Sequence, residues 1–179
     1  MFEDLKKITN SLFFPDEYRP SIYDIDFSNL SKRGYKGFLI DLDNTLVSRY
    51  EDEPSLKCQR WVEDAKLAGF SLCILSNSFY PRRVQYVSEI LKLPAIYMSA
   101  KPFNWSLKIA INDILKLSQK EVVLIGDQLF TDILAGNLMG IYNILVDPID
   151  KEKISLKKLV RFLEELTLKY SDIKALNEK

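Results

Sequence analysis

The sequence predicts an α/β fold, Rossmann-like, a three-layer α/β/α sandwich around a central parallel sheet of five strands. Two observations lead to it. Five apolar runs are too short and too continuous for amphipathic surface helices, so each reads as a strand covered on both faces. Helical patterns occupy the gaps between them, the alternation that crossover connections in a parallel sheet require.

In chain order, the first strand is expected from Phe38 to Leu42, followed by a helix from Leu56 to Leu67 that Gly69 terminates. The second runs from Phe70 to Leu75. A helix from Arg82 to Leu91, with Val84, Val87, Ile90 and Leu91 along one face, leads into a third strand from Ala95 to Met98. Ile111, Ile114 and Leu115 mark a helix from Leu107 to Leu117 before the fourth strand, Val122 to Ile125. A short helix from Ile133 to Met139, stopped by Gly140, precedes the fifth, Ile141 to Val146.

One domain over 1–179 is expected, with an N-terminal extension (1–35), a catalytic core (36–148) and a C-terminal helix (149–179). In the extension, Phe2, Leu5, Ile8 and Leu12 form a short amphipathic face, followed by the aromatic, Pro-bounded PDEYRPSIYDIDF. Such a segment either covers the core or touches a membrane surface or partner. The tail repeats Leu159, Val160, Leu163 and Leu166 at helical spacing and reads as a helix packed on the domain.

Composition narrows the chemistry. Lys plus Arg and Asp plus Glu balance at 25 each, so no overall field draws the chain to nucleic acid, and no nucleic-acid partner is expected. Histidine is absent, which removes the commonest general base and transition-metal ligand. Cys58 and Cys73 match no zinc spacing and read as buried thiols of a reducing compartment. No segment has the roughly 18 consecutive apolar residues of a membrane span. A cytoplasmic protein is expected, with the N-terminal segment a candidate for peripheral membrane contact.

Ligand sites in parallel sheets lie beyond the carboxyl ends of the strands. After the first run come Asp41, Asp43 and Thr45; after the second, Ser76, Asn77 and Ser78; after the third, Lys101-Pro102; after the fourth, Gly126-Asp127 and then Asp132. Asp41 and Asp43 are two positions apart and start on one face unless the chain bends after Leu42. Like charges this close require a proton or a cation. With oxygen ligands alone, the fitting ion is Mg2+. Ser76, the backbone N–H groups around Asn77 and Ser78, and the Lys101 ammonium are donors suited to phosphate oxygens. Singly, each is an ordinary turn, helix cap or solvated lysine. Four successive strand ends in register describe a phosphoryl clamp.

DLDNT at 41–45, SNS at 76–78, KP at 101–102 and GDQLFTD at 126–132 resemble the four motifs of the haloacid dehalogenase (HAD) superfamily of Asp-based phosphohydrolases. PDEYRPSIYDID, DLDNTLV and GDQLFTDILAGN are similar to the YqeG family of HAD type IIIA phosphatases, relatives of phosphatidylglycerophosphate phosphatases. The resemblance implies Asp41 as nucleophile, Asp43 as general acid and base, and Lys101 as neutralising cation. It implies Mg2+ held by the Asp41 side chain, the Asp43 carbonyl, Asp127 and Asp132, with Thr45 steadying the loop and Ser76 binding phosphate.

HAD enzymes for small metabolites generally carry a cap domain, but the chain leaves no room for one after the first motif or before Lys101. An open site for a large or surface-borne phosphate is therefore expected, with a phospholipid head group, phosphatidylglycerophosphate, the leading candidate. A soluble sugar phosphate or nucleotide is the alternative. A receiver-like phospho-acceptor module fits less well, since its acceptor is expected after the third strand, where Met98-Ser99-Ala100 stand. Arg82 and Arg83 are either a second anion site or a solvated pair.

Overall fold

The computed structural model describes residues 12–150. All strands of its single sheet are parallel: β1 (Glu17–Arg19), β2 (Gly37–Ile40), β3 (Ser71–Leu75), β4 (Ala95–Ile96), β5 (Val122–Gly126) and β6 (Tyr142–Val146), in the spatial order β1-β6-β5-β2-β3-β4. The helices are α1 (Phe27–Lys32), α2 (Leu56–Leu67), α3 (Pro81–Leu91), α4 (Trp105–Ile109), which continues as a wider π-type turn over Ala110–Leu115, and α5 (Leu134–Met139).

Side chains of successive strand residues point to opposite faces, and the core divides accordingly. Phe38 and Ile40 of β2 share a cluster with Leu30 of α1, Trp61 and Val62 of α2, and Val84 and Val87 of α3. Leu39, between them, belongs to the opposite cluster with Leu107, Ile111, Leu124 and Ala135. Every residue of β2 and β5 is buried, the reason these strands read as unbroken apolar runs. Phe38 stacks on Phe70 with ring centroids 4.2 Å apart. Full burial of a phenylalanine contributes about 1.5–3 kcal/mol relative to exposure.

Local chemistry sets the helix limits. Ser55 Oγ accepts from Cys58 N–H at 3.2 Å and starts α2, Pro81 occupies the first turn of α3, and Gly140 with φ +65° ends α5 in the left-handed region that favours glycine.

The sheet has six strands rather than the five expected. Glu17-Tyr18-Arg19 carries no apolar run, yet its backbone pairs with Ile144, Leu145 and Val146, and Tyr18 packs by Leu129, Ile133 and Leu145. Asp16 secures this edge by accepting from Asn143 N–H at 2.9 Å. The segment 17–19, within the N-terminal extension, is therefore part of the sheet. The strand expected to reach Leu42 ends at Ile40, and β4 ends at Ile96 because Met98 turns to φ +48°. Except for Leu12, the N-terminal helical pattern lies outside the described residues, as does the tail pattern around 156–170. No helix among the described residues is long and apolar enough to cross a membrane.

Strand order reverses between β2 and β5: the chain steps from β2 to β3 and β4 on one side, then returns to β5 on the other. The crevice where ligands bind such sheets is therefore flanked by the residues following Ile40 and Gly126.

Candidate active site

Asp41 directly follows β2, and its N–H extends the ladder by donating to Ile125 O at 2.9 Å, so its carboxylate is carried on rigid sheet. Asp127 directly follows β5. Asp132 is delivered by the π-type turn Leu129–Ile133, which Asp132 N–H closes onto Gln128 O at 2.9 Å. One carboxylate oxygen from each of Asp41, Asp127 and Asp132 lies within 4.8 Å of the others. Asp41 Oδ2 and Asp127 Oδ1 are buried without a hydrogen-bond partner. Buried anionic oxygens left without donors fit a hard divalent cation, so this carboxylate group could hold a metal.

Lys101 penetrates the cluster from the β4 side. Its Nζ donates to Asp41 Oδ1 at 2.6 Å and Leu75 O at 2.8 Å, and lies 2.7 Å from Asp132 Oδ1. Asp132 accepts from Gln128 N–H through Oδ2 at 3.1 Å, while its buried Oδ1 makes the ion contact with Lys101 and has no hydrogen-bond partner.

Electrostatics follow from this burial. Burial pushes the Asp41 carboxyl up to about 8; Lys101 opposes the shift, and Asp132 and Asp127 add to it. Burial also pushes Asp127 up to about 7, with Asp132 adding and Arg49 opposing. For Lys101, burial alone favours the neutral amine, but Asp132 and Asp41 more than offset it and hold the ammonium above its ordinary value. Burial pushes the Cys58 and Cys73 thiols up to about 12, which leaves them unreactive at neutral pH.

Asp41 and Asp43 line the same cleft but have different partners. After Asp43 the chain turns: Asn44 adopts the left-handed conformation with φ +63°, and its N–H donates to Val47 O at 2.7 Å. The Asp43 carboxylate instead meets Arg83 Nη1 at 2.5 Å and, weakly, Ser76 Oγ at 3.5 Å. Arg83 Nη2 also donates to Ser48 O at 2.8 Å and Glu51 O at 2.9 Å, so one guanidinium anchors both Asp43 and its loop. Arg82, its neighbour, is exposed.

The remaining expected residues gather at the same edge. Ser76 is buried and its Oγ accepts from Ser78 N–H at 3.1 Å. Asn77 turns its amide to the neighbouring loop: Nδ2 donates to Lys101 O at 3.1 Å, and Oδ1 accepts from Lys101 N–H at 2.9 Å and Ser99 Oγ at 2.7 Å. This amide serves to position Lys101. Thr45 is buried, with an Oγ1 that has no hydrogen-bond partner.

Above them opens a cleft of about 340 Å3, with Asp41 and Asp43 in its wall beside Arg49, Tyr80, Arg83 and Gln128. Sequence reasoning did not find Arg49, an exposed residue just beyond the DLDNT turn, nor the grip of Arg83 on Asp43. The only sequence signal for the latter is the place of Arg83 in the first turn of α3, directly after Ser76–Ser78.

A sequence model of HAD-hydrolase-like proteins matches residues 99–151. The chain is 39% identical over 137 residues to a protein named probable phosphatase YqeG from Bacillus subtilis, covering 76% of this chain and 78% of that protein. It is 27% identical to the mitochondrial phosphatidylglycerophosphatase GEP4 of Saccharomyces cerevisiae, over 87% of this chain and 90% of that one. The chloroplastic and mitochondrial phosphatidylglycerophosphate phosphatase 1 of Arabidopsis thaliana is also 27% identical, over 81% of this chain but 44% of its own length. Among solved structures, an uncharacterized protein from Listeria monocytogenes matches with a TM-score of 0.50 at 14% identity, over 73% of this chain and 99% of that one. A hypothetical protein from Xanthomonas campestris matches with the same TM-score and identity, over 70% and 72% of the two chains. These two likenesses concern the fold alone.

Proposed function

This chain belongs to the YqeG family of HAD-type phosphatases, and from that premise we propose that it hydrolyses the phosphomonoester of a phospholipid head group through a phospho-Asp41 intermediate. The observation that carries the mechanism is the buried contact of Asp41 with Lys101, beside an Asp41 Oδ2 and an Asp127 Oδ1 that have no hydrogen-bond partner.

The Asp41 carboxylate attacks phosphorus and the ester P–O bond breaks. Asp43 protonates the leaving oxygen. Asp43 then takes a proton from the water that cleaves the acyl phosphate, so inorganic phosphate departs and Asp41 is regenerated. Asp41, the Asp43 carbonyl and Asp127, with Asp132 alongside, are the groups that would hold a Mg2+ ion, which would supply positive charge favouring the ionised nucleophile and offsetting the charge of the phosphoryl group. Lys101 adds a fixed positive charge beside the nucleophile, in surroundings where charge is poorly screened. Thr45, Ser76, Ser78 and the Asn77 backbone are the proposed phosphate-binding groups. In the loose transition state of phosphoryl transfer, such positioning and neutralisation are the main catalytic terms.

The phospholipid reading is supported by the phosphatidylglycerophosphatase names of two relatives and by a cleft without a covering domain among the described residues. The experiment is a Mg2+-dependent phosphate-release panel: phosphatidylglycerophosphate in mixed micelles, sugar phosphates, nucleotides and phosphopeptides, with Asp41→Asn as the blank. The lipid substrate is expected to turn over fastest, and the variant to be inactive. Release that persists in Asp41→Asn sinks the mechanism. Activity confined to soluble phosphates sinks the lipid reading alone.

A further inference from the structure

Two loops at the outer side of the cleft carry large apolar side chains that nothing in the catalytic chemistry uses. Phe79 and Tyr80, after β3, are 76% and 75% exposed, and Phe103, after β4, is 71% exposed. Tyr97, Met98 and Trp105 are each about half exposed. Because β3 and β4 are neighbours in the sheet, these residues stand side by side at its carboxyl edge.

The loops form one platform. Ser78 O accepts from Met98 N–H at 3.2 Å, Ser76 O accepts from Ser99 N–H at 2.9 Å, and the Asn77 amide is bonded at both ends to Ser99 and Lys101. The apolar side chains are thus presented by a braced surface. Its charge is one-sided: residues 76–82 and 97–105 contain no carboxylate, while Arg82 is an exposed cation among them. Exposed aromatics, a methionine and an arginine without acidic residues match the interface of an anionic bilayer, where aromatic rings lie at head-group depth and cations meet lipid phosphates. The platform is also continuous with the cleft, since Tyr80 belongs to both.

We infer that this platform is the membrane-docking surface of the protein: its aromatic tips enter the head-group layer of an anionic phospholipid bilayer and set the mouth of the cleft against lipid phosphates. The choice of occupant rests on the phospholipid reading above. Vesicle capture needs no turnover, so the two can fail separately.

The test uses the full chain with vesicles of phosphatidylcholine alone and of phosphatidylcholine mixed with phosphatidylglycerol. Sedimentation with the anionic vesicles is expected, and Phe79→Ser/Phe103→Ser is expected to weaken it on the order of tenfold. Arg82→Glu should weaken capture by anionic vesicles only. Mg2+-dependent hydrolysis of a small soluble phosphomonoester should be unchanged in both variants, which shows that they fold. Trp105 supplies an independent readout, because the other tryptophan, Trp61, is only 6% exposed. Its emission should shift blue on binding and be quenched by brominated lipid, a response that Trp105→Phe removes.

Wild-type protein left in solution by anionic vesicles overturns the proposal, as does equal capture of the double variant. A wild-type dimer that the double variant splits assigns the surface to a second copy and overturns it too. Trp105 emission that is already blue-shifted without vesicles would mean that the ring is covered in solution, and also overturns it.

Discussion

Arg83 Nη1 lies 2.5 Å from Asp43 Oδ1, joining the first turn of α3 to the loop after β2 across forty residues of sequence. The proposed acid/base is therefore positioned by a group outside its own loop. Arg83→Met removes the ion pair and both carbonyl contacts, and kcat should fall roughly tenfold to a hundredfold, less than the full contribution of a general acid/base because Asp43 itself remains, with KM changing less. Arg83→Lys keeps the charge without the planar fork and should fall between. Unchanged kcat in Arg83→Met would remove the positioning role.

The carboxylate cluster predicts a pH dependence. Burial pushes the folded Asp41 and Asp127 carboxyls up to about 8 and about 7, against about 3.9 in an unfolded chain, so between these limits the metal-free folded state binds more protons than the unfolded one. Stability of the metal-free protein should therefore fall as pH rises from 5 to 8, by about 1.4 kcal/mol per pH unit for each excess proton. Mg2+ should stabilise more at pH 8 than at pH 5, because binding displaces those protons. Urea unfolding with and without Mg2+ measures both. Metal-free stability that rises over this interval contradicts the cluster electrostatics.

Lys101→Met leaves Asp41 and Asp132 facing one another in the interior without their cation. Loss of one partner from a buried charge group typically costs about 3–5 kcal/mol. The urea midpoint of the metal-free variant should drop by a corresponding amount at pH 8 and recover partly in acid, where the carboxyls protonate. A wild-type midpoint at pH 8 would show that the lysine is not what keeps the carboxylates in place.

Gly126 is required by close approach. A Cβ at this position would lie 2.3 Å from Asp132 Cγ, so Gly126→Ala must displace Asp132 from its place beside Lys101. Mg2+ affinity and kcat are each expected to fall roughly tenfold to a hundredfold, as when the groups that orient metal ligands are disturbed. Titration calorimetry and initial rates provide the check; wild-type values for both would mean that Asp132 has no part in either.

Much of this arrangement was legible in the sequence because a parallel sheet constrains its strands strongly. Residues covered on both faces must be apolar, so β2, β3 and β5 announce themselves, and the polar residues after them must share one edge. Asp41, Ser76, Lys101 and Asp127 were found in this way. Less legible was whatever depends on contacts between distant segments. Tyr18 and its neighbours form a strand through backbone pairing with β6 and have no apolar pattern to show it. The contact of Asp43 with Arg83 from another loop, and the left-handed Asn44 after it, do not follow from residue spacing. The Asn77 backbone reads as a phosphate donor by position, but the tie of its side-chain amide to the Lys101 backbone could not be read from spacing.

The three-residue strand Glu17–Arg19 also has a bearing on how the protein can be handled. It occupies the hydrogen-bonding side of β6 that would otherwise face water, on the flank of the sheet opposite β4. A shortened recombinant version starting at Pro20 would retain every proposed catalytic residue and the core residues of α1, and still bare a row of amides and carbonyls able to recruit strands from other molecules. The leading segment thereby acts as a guard against self-association, and its removal would show first as turbidity rather than as lost chemistry.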